Sequence, residues 1–571
     1  MNYSPSGWSS ERSETAHSKA RFALFWYFVV VSISISYKKP LETLDVMASS
    51  HLPSVIARLL ASIRSATQLD RESLAAFRIA AGTILVADAI LRCRDFWLFF
   101  SPTGIFPPGN LLAYLEPGCW SLNFLNENIW WQGTILATEA IAGLSLMAGY
   151  YSSLSCIIAW VAWTSILRRT EPAANAGDFW MACLLFWGIF LPLGDAFSLD
   201  KRLQSRKKHA TWSLASGAFV AQVLVVYFYA GISKLNGDWL NGSALGYILS
   251  VHDHGTWAGE LLGSSKIITC MFTIFTLALE IIGPILFLFC GNRTVRRTVA
   301  ILFIFFHIGI WINLSVGIFA PIGISAWLAL MPWNPESPSG SPSSCPEKVD
   351  QNRSNAKLIR YASPIKNMTV AISLLIAGLS LSTNVFPKTD TGSYWAAVAI
   401  NVITLDQTWG MFGDVGPQEQ WVTGKATLED GSVVDLLRGG RPFSAVRPQG
   451  GFSSLPNHRW HKIFWELPKT RQASLRETIA AGLVADWNRR KPRTKAVCTL
   501  EIYYTQAIHE GKATAHDFPE LTEQGVPKKF SPDSTLRKWL LATWPPRKAG
   551  SGNLDRFLKE TESLSNKKNL N

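Results

Sequence analysis

The chain has 571 residues, of which 48% are hydrophobic and only 17% are charged, with 24 Trp, 31 Phe and a mean hydropathy of +0.14. Soluble proteins carry about 25% charged residues. The composition therefore excludes a disordered chain, a disulfide scaffold and a nucleic-acid-binding protein of the usual soluble kind. The net charge of +13 is typical of basic loops that orient membrane helices. We expect a mostly α-helical, multi-pass membrane protein with a soluble appendage.

The N-terminal extension, residues 1–69, contains one short apolar run at 22–36. About 15 residues are few for a membrane span, and no small-residue cleavage site is evident. Three interpretations stay open: a short span, a signal-anchor, or a stretch outside the native protein, with translation starting at Met47.

Longer apolar runs within residues 70–388 predict a polytopic helical bundle of about nine spans, or about ten with the N-terminal run. Their bounds are 74–91, 128–150, 154–167, 179–197, 212–235, 267–290, 299–331 and 370–385. The run at 299–331 is too long for one span, and Gly317 and Pro321 predict two short helices or a hairpin there. A Pro/Ser-rich loop at 333–366 interrupts the series.

The distribution of Lys and Arg predicts the orientation. Basic loops at 201–208 and 293–297 should be cytoplasmic, and the acidic loop between them, 236–265, should lie outside. Counting helices onward from the second basic loop puts the C-terminal tail on the external side. The same count also puts the Arg168–Arg169 pair outside, against the rule.

The character of the sequence changes in the tail, residues 389–571, which predicts a small soluble α+β domain. The segments 420–428 and 433–437 flank a Glu-Asp-Gly-Ser turn and predict a hairpin. Helical periodicity at 474–490 and a β-rich run at 496–504 predict one helix and one further strand.

Ionisable side chains inside membrane helices are costly, so each is a candidate for function. For Arg78 and Asp88, buried ion pairs with other helices are the plainer explanation, and for Asp178 a position at the membrane interface. The complete set is Arg78, Asp88, Glu139, Asp178, Asp195, Lys234, Glu280 and His307.

Lys234 closes the apolar run at 212–235. Its amine either extends to the membrane interface or is held away from water, where it could serve as a base near neutral pH. Tyr227 lies on the same helix face. His307 precedes the helix break at Gly317, and broken membrane helices usually line cavities, although a lone membrane histidine is often a packing hydrogen-bonder.

The residues around Lys234 resemble a known family. The segment YFYAGISKL at 227–235, followed by Asp238 and Trp239, resembles the part of the vitamin K-dependent gamma-carboxylase family that holds its catalytic lysine, and Lys234 falls on that lysine. The resemblance covers about residues 70–335 and extends to bacterial members known as HTTM (horizontally transferred transmembrane) proteins. Further similar elements are Phe306-His307 with 317–319, Phe77-Arg78 with Asp88, and, in the tail, 407–412 and 457–460.

The resemblance implies a carboxylase-like, lyase-type reaction with a reduced, vitamin K-like quinone as cosubstrate. Lys234 would deprotonate the hydroquinone, and oxygenation would produce a strong base. That base would take a γ-proton from a glutamate, which would then add carbon dioxide. The supporting residues would be His307, Asp178, Tyr227, Arg78 and Asp88. Where the family has a functional histidine, this sequence has Gly177, with Asp178 as the nearest ionisable group.

Two hypotheses follow for the function. The first is a membrane enzyme that acts on an unknown substrate, with no metal and no nucleic acid; it predicts that Lys234, Tyr227, His307 and Asp178 converge on one pocket at membrane depth. The second is a non-catalytic membrane protein whose external tail binds an envelope partner. It predicts that Lys234 faces bulk water with no cavity beside it.

Overall fold

A computed structural model of the chain describes residues 54–200, 213–250, 255–333, 391–407, 409–413, 415, 418–444, 447–448, 450–468, 473–508 and 535–546. The apolar runs at 22–36 and 370–385 lie outside these ranges, as does nearly all of the Pro/Ser-rich loop.

The described part of the chain is mostly helical, in agreement with the composition. In chain order the helices are α1 (Ser54–Ala66), α2 (Arg71–Cys93), α3 (Phe96–Phe100), α4 (Pro108–Tyr114), α5 (Ile129–Ala148), α6 (Ser152–Arg169), α7 (Ala176–Gly188), α8 (Leu214–Ser233), α9 (Gly237–Leu240), α10 (Ala244–Ser250), α11 (Trp257–Gly263), α12 (Lys266–Phe289), α13 (Arg293–Asn313), α14 (Phe319–Leu330), α15 (Thr391–Ile403), α16 (His458–Glu466) and α17 (Ala473–Arg490).

Four of the described helices, α2, α8, α12 and α13, are long and apolar enough to cross a membrane, and α14 is a shorter apolar helix. The expected nine or ten spans are therefore not confirmed. Among the described helices, two physical features account for the difference. The helix α7 has only 13 residues, against about 20 for a span. Polar side chains interrupt the others: α5 carries Gln132 and Glu139, and α6 ends in Arg168 and Arg169.

The long run at 299–331 divides as expected into two helices, α13 and α14. The chain between them turns at Gly317, whose φ of +62° favours a residue without a side chain. A Cβ at Gly317 would also overlap the ring of His458, which comes from the tail.

The polar ends of several helices meet at one end of the bundle. Arg92 at the end of α2 reaches Asp178 at the start of α7, and the Ser121 hydroxyl donates to the Ser165 carbonyl near the end of α6. We call this the tail-side end, because the tail packs against it.

The tail contains one five-stranded antiparallel sheet in the order β3-β2-β1-β4-β5. The strands are β1 (Gln418–Leu428), β2 (Val433–Asp435), β3 (Arg441–Pro442), β4 (Val497–Ile508) and β5 (Thr535–Trp544). The expected hairpin is present, with Ala426 opposite Val434 and Gly431 at a φ of +81° in the turn. The helix expected at 474–490 is α17.

The tail packs directly against the helical bundle. Leu98 of α3 and Leu111 of α4 lie in the same buried cluster as Ile479 and Leu483 of α17. A Cβ at Gly482 of α17 would overlap the backbone of Gly104. The sheet, α17 and the tail-side end of the bundle therefore share one hydrophobic core.

Glycine-to-alanine exchanges test the contact between α2 and α5. A Cβ at Gly82 would lie 2.5 Å from the carbonyl oxygen of Gly143 and 2.8 Å from Met147 Cγ. We expect Gly82→Ala to lower the free energy of unfolding by about 1–3 kcal/mol through overpacking, although Ala favours a helix by about 1 kcal/mol. At Gly133 of α5 the nearest atom would be Phe96 Cζ at 3.6 Å, so Gly133→Ala should be neutral or stabilising. Thermal unfolding in detergent measures both, and equal effects would contradict this packing.

Candidate functional site

Lys234 is buried and paired with a carboxylate. It is the residue after the last turn of α8, it is 4% exposed, and its Nζ lies 2.8 Å from Glu280 Oε2 of α12. The Nζ also lies 5.3 Å from the centre of the Trp239 ring and donates to the Ala230 carbonyl at 3.3 Å. Of the two interpretations of its position, the buried amine is therefore the one the structure adopts.

The close approach of α8 and α12 depends on Gly231, one helical turn before Lys234. A Cβ at Gly231 would lie 2.7 Å from Ile281 Cγ1 and 3.2 Å from Glu280 Cβ. The glycine in the YFYAGISKL segment thus lets the lysine and Glu280 meet between the two helices.

A stretch of the tail, residues 409–413, covers this pair from the tail-side end. Trp239 Nε1 donates to the Phe412 carbonyl at 2.8 Å, and Asn236 Nδ2 donates to the Gly413 carbonyl. The Trp239 side chain therefore lies between Lys234 and the tail.

Tyr227 and His307 form a second buried pair. The Tyr227 hydroxyl and His307 Nε2 are 2.6 Å apart, and both residues are almost completely buried. A Cβ at Gly323 of α14 would overlap the His307 ring, so the backbone of α14 is in direct contact with that ring. The expected convergence of Tyr227 with Lys234 is therefore not observed as a direct contact.

Trp180 of α7 links the Tyr227–His307 pair to the tail through ring contacts. Its ring centre lies 5.8 Å from that of Tyr227 and 6.2 Å from that of His307. It also lies 5.8 Å from Trp409 and 5.7 Å from Phe319. Trp409 and Phe319 both line the cavity described below.

Asp178 belongs to a third group, an ionic network that joins the bundle to the tail. Arg459 Nη2 of α16 lies 2.7 Å from Asp88 Oδ1 and 3.0 Å from Asp178 Oδ1. Arg92 contacts the same two carboxylates at 2.5 and 3.4 Å. Although burial lowers the pKa of Arg459, the neighbouring Asp178 and Asp88 outweigh that effect and raise it above its usual value. Glu139 is buried beside the network.

Gly177, which the resemblance aligns with a functional histidine, has no room for a side chain. A Cβ at Gly177 would lie 2.9 Å from the Cα of Phe319, because the start of α7 packs against the start of α14. Asp178 does not replace that histidine near Lys234. Its side chain accepts from the Asn175 backbone in a capping box and pairs with the arginines.

Among the described residues Arg78 forms no salt bridge, whereas an ion pair with another helix was expected. Its guanidinium donates instead to the backbone carbonyls of Leu146, Met147 and Phe197. It ties the end of α5 to the loop after α7, away from Lys234, so its contacts are structural.

The arginines that broke the expected charge rule are not loop charges. Arg169 is fully buried and donates to the carbonyls of Phe100 and Phe106 at 2.9 and 2.8 Å. Arg168 is 1% exposed and pairs with Glu171 and Asp406. Both arginines therefore form hydrogen bonds or ion pairs within the protein at the tail-side end.

A cavity of about 910 Å³ lies between the bundle and the tail. Its apolar surface includes Phe179, Val316, Phe319, Trp409, Met411 and Phe412. Its polar surface includes Glu116, Arg168, Glu171, Asp406, His458 and Lys462. None of the predicted site residues lines it. Asp178 is close to it in sequence, between the lining residues Ala176 and Phe179, and Phe412 connects it to Trp239.

The sequence analysis named two residues of the candidate site, or the segment that holds them, but did not predict their partners. Glu280 stood among the intramembrane ionisable residues, but nothing in its local sequence points to Lys234. Arg459 lies in the family-like segment 457–460, yet its partner Asp88 is 371 positions away. Only the folded structure brings these pairs together.

Removal of Arg459 tests the ionic network. Arg459→Ala leaves Asp88 and Asp178 with Arg92 as the only close cation in the part of the chain that the structure describes, and loss of one partner of a buried pair costs about 3–5 kcal/mol. We expect a lower melting temperature and faster hydrogen exchange in α16. The control is Lys462→Ala on the same helix, which removes a half-exposed pair with Glu466 worth about 0.5 kcal/mol. Equal effects of the two variants would contradict the role of Arg459.

Comparison with protein families identifies the domain that forms the helical bundle. Residues 67–332 match the HTTM domain, and the match contains Lys234, Tyr227, His307, Asp178 and Glu280 but ends before the tail. No solved structure matches the chain. Residues 67–332 of the chain are therefore an HTTM domain, and the long apolar helices within it are those of a membrane protein.

Proposed function

We propose that this protein is a carboxylase-like membrane enzyme of the lyase type, in which Lys234 acts as a general base toward a reduced quinone. The observation that carries the proposal is the buried Lys234–Glu280 pair, 2.8 Å apart, at the lysine position of the family segment. The non-catalytic hypothesis expects Lys234 in bulk water, whereas the side chain is 5% exposed, which favours the enzyme.

The pairing with Glu280 suits a lysine that must exchange protons. Transfer of a proton from the Lys234 ammonium to the Glu280 carboxylate produces a neutral amine and a neutral acid, so the net charge of the buried pair stays zero. When the amine then accepts a proton from the hydroquinone, the pair gains one positive charge, and the hydroquinone anion formed beside it supplies the matching negative charge, since an isolated buried charge would be costly. Glu280 is thus a positioning residue that also balances the charge on Lys234.

Aromatic surfaces beside the pair fit a flat ring. The Trp239 ring lies over Lys234 Nζ, and Phe412, Met411 and Trp409 line the adjacent cavity. When bound there, a reduced quinone would supply an acidic hydroxyl and reducing equivalents. Because residues 409–413 lie between the cavity and Lys234, this stretch must shift for a ring in the cavity to reach the amine.

The tail lies on the external side in this proposal. The basic segment 201–208 follows α7, which begins at the tail-side end, and the basic segment 293–297 follows α12, which runs away from that end. The positive-inside rule therefore assigns the end of the bundle opposite the tail to the cytoplasm. The burial of Arg168 and Arg169 removes the one conflict with this orientation.

Replacement of Lys234 tests the proposed function. Lys234→Ala should reduce the oxidation of a reduced naphthoquinone by the full-length protein in nanodiscs by about 10²-fold or more, the usual contribution of a general base. Quinone formation and oxygen uptake are the measurements. Glu280→Gln should also reduce the rate.

The matched control is Lys266→Ala, which removes an exposed lysine at the start of α12 and should leave the rate unchanged. Circular dichroism and size-exclusion profiles establish that each variant is folded. A folded Lys234→Ala protein with the wild-type rate would exclude Lys234 as the base.

A further inference from the structure

The charged side chains that line the cavity between bundle and tail carry an excess of negative charge. Arg168 lies between two carboxylates, 2.8 Å from Glu171 and 2.6 Å from Asp406, so one cation faces two anions. Glu116 adds a further carboxylate, and Lys462 is balanced by Glu466 at 2.7 Å. The Asp406 side chain is 30% exposed and is accessible from the cavity.

The other titratable groups around the cavity do not offset this charge at neutral pH. Burial lowers the pKa of His458 to about 4 and that of His461 to about 3, so both imidazoles are neutral. Burial also raises the pKa of Cys119 and of Tyr114 to about 12, so the thiol and the phenol keep their protons.

The lining of the cavity also includes an apolar and aromatic surface. Phe179, Phe319, Trp409 and Phe412 lie there. His458, largely buried at the edge of this surface, has an Nε2 atom with no hydrogen-bond partner among the described residues. A volume of about 910 Å³ is within the range of sites for small molecules, about 300–1,000 Å³.

We propose that this cavity binds an amphipathic amine, with its ammonium group against Asp406 and Glu171 and its apolar part against Phe319, Trp409 and Phe412. Ammonium N–H groups form charge-assisted hydrogen bonds with carboxylates, and an aromatic wall adds cation–π attraction. A carboxylate ligand would instead meet like charges. The inference goes beyond the proposed function, because binding does not require Lys234 to act as a base, and it disfavours a glutamate side chain as the occupant.

Three probes of equal chain length test the proposal: octylammonium, octanol and octanoate. Binding is measured by titration calorimetry on the full chain in phosphatidylcholine nanodiscs, with empty nanodiscs as the blank for partition into lipid. We expect octylammonium to bind tightest and octanoate weakest. Asp406→Asn should weaken octylammonium binding about 10-fold or more, since a hydrogen bond to a charged group contributes about 1.5–3 kcal/mol and each 1.4 kcal/mol is about tenfold, and it should change octanol binding by less than about 2-fold. Added salt should weaken octylammonium binding alone.

The control for charge is Glu260→Gln, which removes an exposed carboxylate of α11 outside the cavity lining and should leave all three affinities unchanged. Glu171→Gln gives a second variant if Asp406→Asn does not fold. Octanoate binding as tight as octylammonium, or unchanged octylammonium binding in both carboxylate variants, would overturn the proposal. Lys234→Ala should bind octylammonium like the wild type, so failure of the cavity inference and failure of the proposed catalysis are told apart.

Discussion

The packing of the tail against the helical bundle depends on the guanidinium group of Arg459. Asp88 and Asp178 face each other inside the helical bundle, where water cannot screen them, and Arg92 alone cannot balance both. Arg459 of the tail provides the second cation. A buried ionic group is stable only when its charges and hydrogen bonds are matched. The HTTM domain, residues 67–332, therefore reaches charge balance only when the tail is docked on it.

Docking of Arg459 also positions the rest of the tail. His458, the preceding residue, packs against Gly317 at the break between α13 and α14, and the following turn of α16 carries Lys462 and Glu466 to the cavity. The bundle supplies one wall of the cavity and the tail supplies the other. The tail is thus part of the candidate site, which a pattern of apolar runs followed by a soluble segment does not indicate.

The parts of the fold that follow from local patterns were predictable, since periodicity and turn residues act over a few positions. Helix α17, the hairpin of β1 and β2 and the division of 299–331 are examples. Contacts between distant segments were not. Tyr227 and Lys234 share a helix face but are separated by about 10 Å of helix rise, so they reach different neighbours, His307 and Glu280. The span count was not confirmed because the apolar run at 179–197 does not show that α7 ends at Gly188, because Gln132 and Glu139 make α5 less apolar than its length suggests, and because the runs at 22–36 and 370–385 lie outside the described residues.

Charge balance separates two kinds of environment at the tail-side end. The Lys234–Glu280 pair is internally neutral and nearly dry, with side chains 5% and 7% exposed, which suits proton exchange because a proton can move within the pair without any change in net charge. The Arg168 group is different: its surplus carboxylate is tolerated because Asp406 reaches the cavity, where a ligand or water can compensate it. The proposed proton transfer and the proposed ligand binding therefore place opposite demands on burial. This difference explains why Lys234 lies beside the cavity, behind Trp239 and Phe412, and is not one of the residues that line it.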